Sequence, residues 1–351
     1  MAKKIAAHRE LISEERKVRS TWARRLTWER MAPVLLVLPS AIAIAIFVYG
    51  FIGFTGFASL TRWNKLLPDF TLVGLSNYLV LFAHPRFQID VRNSVVFTAL
   101  FLTGCVGIGF LLAVLLDQRV KGENIFRSIY LFPMAISFIV TGVVWRWLLN
   151  PGSLEMGSTG VNLLFDRVGL GFLKWGWFTD PTVLHIRPDN GLGIFLQGIG
   201  LGALTTDKFG IPVAIISLVI AATWQMSGYV MAMYLAGLHG IPEELREAAR
   251  VDGASEWQIL WHVLWPLLRP ITLGAVIILG HISLKIYDLV VAMTGPGIGF
   301  STDVPAYFMW ETTFHSNRFA QGASIATIML IMVAILIIPY LVYSTRREVE
   351  A

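Results

Sequence analysis

The sequence predicts an all-α fold, a polytopic membrane bundle of six transmembrane helices with both termini in the cytoplasm. Its composition is apolar: 55% of the 351 residues are hydrophobic, only 15% are charged, and the mean hydropathy is +0.65. Such values are typical of integral membrane proteins. Two further observations support this prediction, namely six long apolar runs and an unequal distribution of lysine and arginine among the segments that join them.

The six apolar runs are each long enough to cross about 30 Å of hydrocarbon as a helix. They occupy residues 32–57, 93–116, 128–149, 212–238, 270–293 and 321–343. A further apolar stretch, Gly191–Leu204, has only fourteen residues, five of which are glycine. We expect it to lie at the membrane interface or to re-enter the membrane without crossing it. Residues 32–343 are therefore predicted to form one six-helix transmembrane domain.

The distribution of positive charge orients the chain, because cytoplasmic loops are enriched in lysine and arginine. With both termini inside, the inner segments hold 17 Lys and Arg residues in 81 positions, whereas the outer segments hold 9 in 124. The inner parts include a basic amino-terminal segment (1–31), a polar loop (239–269) and a short tail (344–351). The net charge of +5 comes largely from 1–31, where it serves orientation and contact with anionic lipid and indicates no nucleic-acid partner.

The polar loop 239–269 is predicted to begin with a short helix. Pro242 suits the first turn of a helix, because its missing N–H would have no partner there. Glu243 and Glu244 follow at positions where the helix dipole favours negative charge. Gly253 then supplies the left-handed conformation that ends many helices.

A second helix is predicted to follow this glycine. Ser255 and Gln258 have the spacing of a capping box, in which two residues satisfy free N–H groups at the start of a helix. Pro266 is expected to interrupt the apolar stripe of this helix, because its ring clashes with the preceding turn. The loop is thus predicted to be a helix, a glycine turn and a helix, a shape suited to docking with a partner protein.

The same loop carries a resemblance to a known family. The residues EAA at Glu247–Ala249, followed by Gly253, Val263 and Pro266, resemble the EAA loop of ABC-importer permeases. The sequence KIYDLV at Lys285–Val290 is similar to that of maltose-type carbohydrate permeases. In that family the loop inserts into a cleft of a cytoplasmic ATP-binding subunit. The resemblance implies a set of coupling residues: Glu243, Glu244, Glu247, Ala248, Ala249, Asp252 and Gly253.

The resemblance also implies the partners of the chain. It would form a heterodimer with a second homologous permease chain, dock on two ATP-binding subunits and receive sugar from an extracytoplasmic sugar-binding protein, in a prokaryotic plasma (inner) membrane. ATP and Mg would be held by the partner subunits, since this sequence contains no G-x-x-x-x-G-K-[ST] phosphate loop. No cofactor, metal site or catalytic residue is predicted on this chain. Its last third resembles permeases for glucose, mannose or α-glucosides.

Three polar residues are predicted to share one face of the fifth span, namely His281, Lys285 and Asp288, at spacing i, i+4 and i+7. A charge at the centre of a membrane helix costs about 2.5 to 3.5 kcal/mol, so such residues face the bundle interior or a cavity that contains water. Two interpretations remain open. Either Lys285 and Asp288 hold the bundle together as ion-pair partners, or the stripe lines the path or gate of a polar solute.

Four residues of the fourth span are further candidates for the path: Trp224, Gln225, Ser227 and Tyr229. A sugar presents apolar C–H faces and a rim of hydroxyl groups, which suit aromatic rings flanked by amide and hydroxyl side chains. The alternative is helix packing, since serine and glutamine also form hydrogen bonds between membrane helices.

Two other classes of function remain as alternatives to a permease. An ion-coupled secondary transporter would use His281, Lys285 and Asp288 as a proton relay, although it has no evident need for a cytoplasmic docking loop. A membrane-embedded enzyme would use the same polar groups for chemistry and would show turnover without partner subunits.

Overall fold

The structure is a computed structural model that describes residues 28–118, 121–153, 155 and 157–350. Side chains are described over the same ranges except at 28–32, 203, 204, 207 and 343–350. The predicted basic segment 1–31 therefore lies almost wholly outside the described residues. Among the residues described, the predicted all-α fold is confirmed, because helices dominate and one antiparallel pair of two-residue strands is the only sheet.

The chain divides into two units, and the first ends at Phe57. Its described part belongs to helix α1, which comprises Trp28–Ile44, a wider π-helical turn at Ala45–Gly50, and Phe51–Ser59. None of the side chains in the most apolar 18-residue window of this helix is buried. A helix that is apolar on all sides is suited to lipid or to another protein chain.

The second unit begins at Ala58 and contains the remaining elements. The helices are α2 (Ser76–Ala83), α3 (Pro85–Asp117), α4 (Glu123–Leu131, extended by a 3-10 turn at Phe132–Ala135), α5 (Phe138–Leu148), α6 (Gly160–Arg167), α7 (Gly191–Gly198), α8 (Val213–His239), α9 (Glu243–Val251), α10 (Glu256–Leu284, with a π-helical segment at Leu260–Leu264), α11 (Asp288–Met293), α12 (Pro305–Trp310, followed by a π turn at Glu311–His315) and α13 (Phe319–Glu350). Further 3-10 turns lie at Gly171–Leu173, Trp177–Thr179, Gly202–Thr205, Asp207–Phe209 and Ile298–Phe300. Strands β1 (Val183–Leu184) and β2 (Ile211–Pro212) pair antiparallel.

Five helices in the described part of the chain are long and apolar enough to cross a membrane, and the bent pair α4 and α5 makes a sixth if it counts as one span. The five are α1, α3, α8, α10 and α13. Four of them, α1, α3, α8 and α13, match the first, second, fourth and sixth predicted spans, which are confirmed as long apolar helices. The third and fifth predicted spans differ from the structure.

The core of the second unit lies between α3 and α8. Phe101 and Cys105 of α3 and Tyr234 of α8 are all 0% exposed. The two helices approach closely at Gly109, where a Cβ atom would lie 2.7 Å from the side chain of Val230. Because any side chain at that position would collide, the glycine sets the distance between the two helices.

The third predicted span is wrong as a single straight helix, because α4 and its extension meet α5 at an angle of 100°. Pro133 lies in the extension and has no N–H to donate. Ser137 then caps α5 by accepting a backbone hydrogen bond. On α8, the side-chain amide of Gln225 donates to the carbonyl oxygen of Ile136 at 2.6 Å. That bond satisfies a carbonyl group that the break leaves free.

The fifth predicted span is also wrong as one continuous helix. Helix α10 ends at Leu284, Lys285 has φ −115° and ψ 23°, and α11 begins at Asp288. The break buries Ile286, which is 5% exposed, while Lys285 and Asp288 remain exposed. His281, Lys285 and Asp288 therefore do not lie on one helical face, contrary to the prediction from their spacing.

The stretch that was predicted to be interfacial, Gly191–Leu204, contains the eight-residue helix α7. A helix of that length extends about 12 Å, which is too short to cross the hydrocarbon core. It is therefore no seventh span, and its position at the membrane interface stays a prediction.

Candidate coupling surface and candidate path

The coupling loop 239–269 has the predicted helix, glycine turn, helix shape. Gly253 has a φ of +82°, which side chains disfavour, and joins α9 to α10. Ser255 and Gln258 form the complete capping box at the start of α10. Helix α9 begins one residue later than predicted, since Pro242 is its cap and not its first helical residue.

Pro266 does not interrupt the second helix, contrary to the prediction. Helix α10 continues through it to Leu284, with the π-helical segment Leu260–Leu264 ending two residues before the proline. A π turn widens the helix by one residue, which relieves the clash between the proline ring and the preceding turn. The coupling loop is therefore joined without a break to a helix that is long and apolar enough to cross a membrane.

The loop exposes a mixture of apolar and acidic side chains, which we name the coupling surface. Val251 is 86% exposed, Trp257 67% and Leu245 45%. The predicted coupling residues are exposed as well, except Ala249, which is half-buried. The exposed ones are Glu243, Glu244, Glu247, Ala248, Asp252 and Gly253. Clustered apolar side chains outside a core are typical of a surface that another protein covers.

A largely buried ion pair, which we name the loop joint, fixes α9 to the end of α3. Arg246 Nη1 lies 2.6 Å from Asp117 Oδ2, and the two side chains are only 13% and 14% exposed. Arg246 Nη2 also donates to the carbonyl oxygen of Leu238, near the end of α8, at 3.4 Å. This pair was not predictable from the sequence, because 129 positions separate its members. The only signals were an aspartate that ends an apolar run and an arginine within the loop.

Arg250 connects the two helices of the loop across the glycine turn. Its Nε lies 2.9 Å from Glu256 Oε1 on α10, and its Nη1 lies 3.5 Å from Glu243 Oε1 on α9. The hydrogen bond with Glu256 raises the pKa of the Arg250 guanidinium. Since these charges are exposed, the bridge orients the loop and contributes little to overall stability.

An open cavity of about 1320 Å³ lies beside the coupling surface. Its walls include both members of the loop joint, Glu247, and the rings of Trp257 and Trp261. Small-molecule pockets usually have about 300 to 1,000 Å³. The size and the mixed charged and aromatic lining favour a cleft for part of a partner chain.

Two of the four path candidates on α8 line a separate cavity of about 630 Å³, namely Trp224 and Ser227. The Trp224 ring is 41% exposed and packs edge-on against Trp145, with ring centres 5.9 Å apart. Gln225 is instead buried and bonded to the α4–α5 bend, and Tyr229 packs against the core. The structure thus brings Trp224 and Ser227 together at one cavity and gives Gln225 a structural contact.

The three polar residues predicted on the fifth span occupy different environments. Lys285 and Asp288 are exposed, and neither forms an ion pair with any residue in the described ranges. His281 has a buried Nδ1 without a hydrogen-bond partner. Within the same ranges, no group of three or more His, Cys, Asp or Glu residues is placed to hold a metal ion.

Several helices long and apolar enough to cross a membrane, joined to an exposed and anchored polar loop, are typical of a multi-pass membrane protein. The chain belongs to the family described as binding-protein-dependent transport system inner membrane component, whose match covers residues 105–349. Members of this family are ABC transporter permeases. The chain is therefore a multi-pass membrane permease subunit and not an enzyme.

Two relatives are similar over most of their length. A probable ABC transporter permease protein of Pyrococcus horikoshii is 38% identical over 316 residues, which cover 90% of this chain and 96% of the relative. A xylose/arabinose import permease protein of Haloferax volcanii is 32% identical over 310 residues, which cover 87% and 86% respectively.

A solved structure has the same fold. It is a bacterial alginate ABC transporter in complex with a periplasmic protein that holds an alginate pentasaccharide. The TM-score is 0.67 at 19% sequence identity, and the match covers 89% of this chain and 96% of that chain. At this identity the similarity concerns the fold alone.

Proposed function

We propose that this chain is the permease subunit of a sugar importer and forms part of the path that the sugar takes. The names of the xylose/arabinose permease and the alginate transporter support a carbohydrate as the solute. The aromatic and hydroxyl groups of Trp224 and Ser227, at the edge of one cavity, suit such a molecule. The resemblance of the last third of the sequence to permeases for glucose, mannose or α-glucosides makes these sugars the first candidates to test.

The coupling surface carries this proposal. Two ATP-binding subunits, which hold ATP and Mg, dock on the exposed side chains of α9 and the start of α10. When these subunits close, they push α9. The loop joint passes that displacement to α3, because the bond between Arg246 and Asp117 is short and largely buried. Helix α3 has 33 residues and is about 50 Å long, so the movement reaches its far end.

The proposal also includes the orientation and the remaining partners. Both termini and the coupling loop lie in the cytoplasm of a prokaryotic cell, as the distribution of positive charge predicts. A second homologous permease chain completes a heterodimer. An extracytoplasmic binding protein delivers the sugar, and the presence of a periplasmic protein in the alginate transporter complex supports this partner.

A gate is the proposed place of three remaining candidates, His281, Lys285 and Asp288. Exposed charges such as those of Lys285 and Asp288 on a broken membrane helix require contact with water or with a partner chain. Gln225 is assigned to the α4–α5 bend. A proton relay in a secondary transporter is less well supported, because the helix break separates the three residues that it would need.

Gly253→Pro tests the coupling role. Proline fixes φ near −65°, which is incompatible with the φ of +82° at this position. We expect the reconstituted transporter with this variant to lose both sugar uptake and the stimulation of ATP hydrolysis by the sugar-loaded binding protein.

A matched control is Gly74→Pro. Gly74 also has a positive φ, +61°, and open space around its Cα, but it lies far from the loop in sequence, between α1 and α2. This variant carries the same kind of backbone strain and should retain stimulation. Wild-type uptake in Gly253→Pro would overturn the docking role, whereas equal loss in both variants would show that strain alone explains the defect.

A further inference from the structure

At the end of α3 opposite to the loop joint, one arginine faces three carboxyl groups, a cluster that we name the carboxyl joint. Arg86 Nε lies 2.6 Å from Asp303 Oδ2, and Arg86 Nη2 lies 2.5 Å from Glu311 Oε2. The third carboxyl belongs to Asp90, one turn after Arg86, whose side chain contacts that of Asp303. Asp90 and Asp303 are both 0% exposed, so water does not solvate either group.

Neither carboxyl oxygen of Asp90 has a hydrogen-bond donor among the residues described. Asp303, in contrast, accepts hydrogen bonds from Arg86 and, at 2.9 Å, from the backbone N–H of Val304. An ionised Asp90 would be a buried charge without a partner, beside a second carboxylate. Two carboxyl groups attract each other only when one of them carries a proton, because only an O–H can donate a hydrogen bond.

The other charged and titratable groups nearby do not supply the missing positive charge. Arg92, on the same helix, donates to Asn93 Oδ1 at 2.8 Å. His84 and Arg318 line a cavity of about 480 Å³ that opens beside Arg86. Tyr307 faces Asp303 and Glu311 from α12. None of these groups donates a hydrogen bond to Asp90, so one guanidinium is shared among three carboxyl groups.

We propose that Asp90 and Asp303 share one proton, which makes the carboxyl joint a proton-binding site. The proton forms an O–H bond on one carboxyl and a hydrogen bond to an oxygen of the other, and water accepts it when the site opens. Burial raises the pKa of the Asp303 carboxyl, and the hydrogen bond from Arg86 opposes only part of that rise.

Loss of the proton leaves two adjacent carboxylates that repel each other. We expect this repulsion to separate α3 from the segment 300–311, which Asn93 also holds by donating to the carbonyl oxygens of Phe300 and Asp303 at 2.9 and 2.8 Å. Uptake should therefore decline as the pH rises. This consequence rests on the proposed function, whereas the shared proton does not.

Infrared spectroscopy of the assembled complex in lipid tests the proton directly. A protonated carboxyl group has a carbonyl stretching band that carboxylates lack. We expect the wild type to show this band at neutral pH and to lose it at alkaline pH, and we expect Asp90→Asn to lack it throughout. Asp69→Asn, which changes a half-buried aspartate outside the carboxyl joint, should keep the band and serves as the control. A wild type without the band at neutral pH would overturn the proposal, even if a variant failed to assemble.

Thermal unfolding provides a second, independent measurement. The folded chain holds a proton that an ordinary aspartate in the unfolded chain has already lost above about pH 4. Unfolding then releases that proton, so the unfolding temperature should fall as the pH rises. Asp90→Asn should remove this contribution to the slope of unfolding temperature against pH, whereas Asp69→Asn should retain it. An unchanged slope in Asp90→Asn would contradict the proposal, and wild-type uptake that does not decline at alkaline pH would contradict its consequence for transport.

Discussion

The two ends of α3 are held by arginine–carboxylate contacts of the same kind but with different balances of charge. At the loop joint, Arg246 meets one largely buried carboxylate, that of Asp117 at 2.6 Å, while its second carboxylate neighbour, Glu243 at 3.8 Å, is exposed to water. At the carboxyl joint, Arg86 meets two carboxylates, and the buried Asp90 adds a third carboxyl group. One buried carboxylate paired with one guanidinium leaves no net charge in the interior. Where buried carboxyl groups outnumber the cations, one of them requires a proton to be neutral. In the proposed mechanism, α3 is thus attached firmly at the end that a partner pushes, and at its far end only while the shared proton is present.

The largest effect on stability is expected for Arg86→Ala, at the carboxyl joint. This change leaves the fully buried carboxylate of Asp303 without its cation and should cost about 5 kcal/mol of unfolding free energy at neutral pH, at the upper end for a broken buried pair. The loss should shrink as the pH falls, because Asp303 can then take up a proton. Thermal unfolding at neutral and acidic pH measures both effects. Arg318→Ala, an exposed change at the same cavity, should cost little, and equal losses in the two variants would refute the assignment.

A somewhat smaller effect is expected at the loop joint. Arg246→Ala breaks the largely buried ion pair with Asp117 and should lower the free energy of unfolding by about 3 kcal/mol. It should also reduce the sugar transported per ATP hydrolysed. The charge exchange Arg246→Asp with Asp117→Arg should restore much of that ratio, because an ion pair can form again. Unaltered coupling in the single variant would show that α9 reaches α3 by another route.

Asn93→Ala should have an intermediate effect that is confined to one end of α3. It removes the two hydrogen bonds that Asn93 donates to the carbonyl oxygens of Phe300 and Asp303, together with the contact that its side-chain oxygen accepts from Arg92, and should lower the unfolding free energy by about 2 kcal/mol. Hydrogen exchange should accelerate over residues 300–304 and stay unchanged over 243–251. Faster exchange in both regions would mean that the two ends are not independent.

The smallest effect is expected for Arg250→Ala, within the coupling loop itself. The charges of this bridge are exposed, so the unfolding temperature should not change measurably. A clear drop in that temperature would mean that the loop contributes more to stability than its exposure indicates.

Local sequence signals predicted the coupling loop well. The turn at Gly253 and the capping box of Ser255 and Gln258 depend on backbone geometry within a few residues, and the structure confirms both. The long apolar helices were also predictable, since hydropathy over some twenty residues is enough to recognise them.

Contacts between distant segments were not predictable. The α4–α5 bend depends on Gln225, which is 89 positions from its partner Ile136. The carboxyl joint brings Arg86 to Glu311 across 225 positions. A spacing rule also failed at Lys285, because it assumes an unbroken helix and α10 ends one residue earlier, at Leu284.

The burial of the only cysteine has a practical consequence. Cys105 is 0% exposed between α3 and α8, so the native chain offers no thiol to a water-soluble reagent. A cysteine that replaces Val251 would then be the single reactive site, with no need to alter the packed core. An impermeant maleimide added to either side of sealed vesicles would report which compartment contains the tip of the loop.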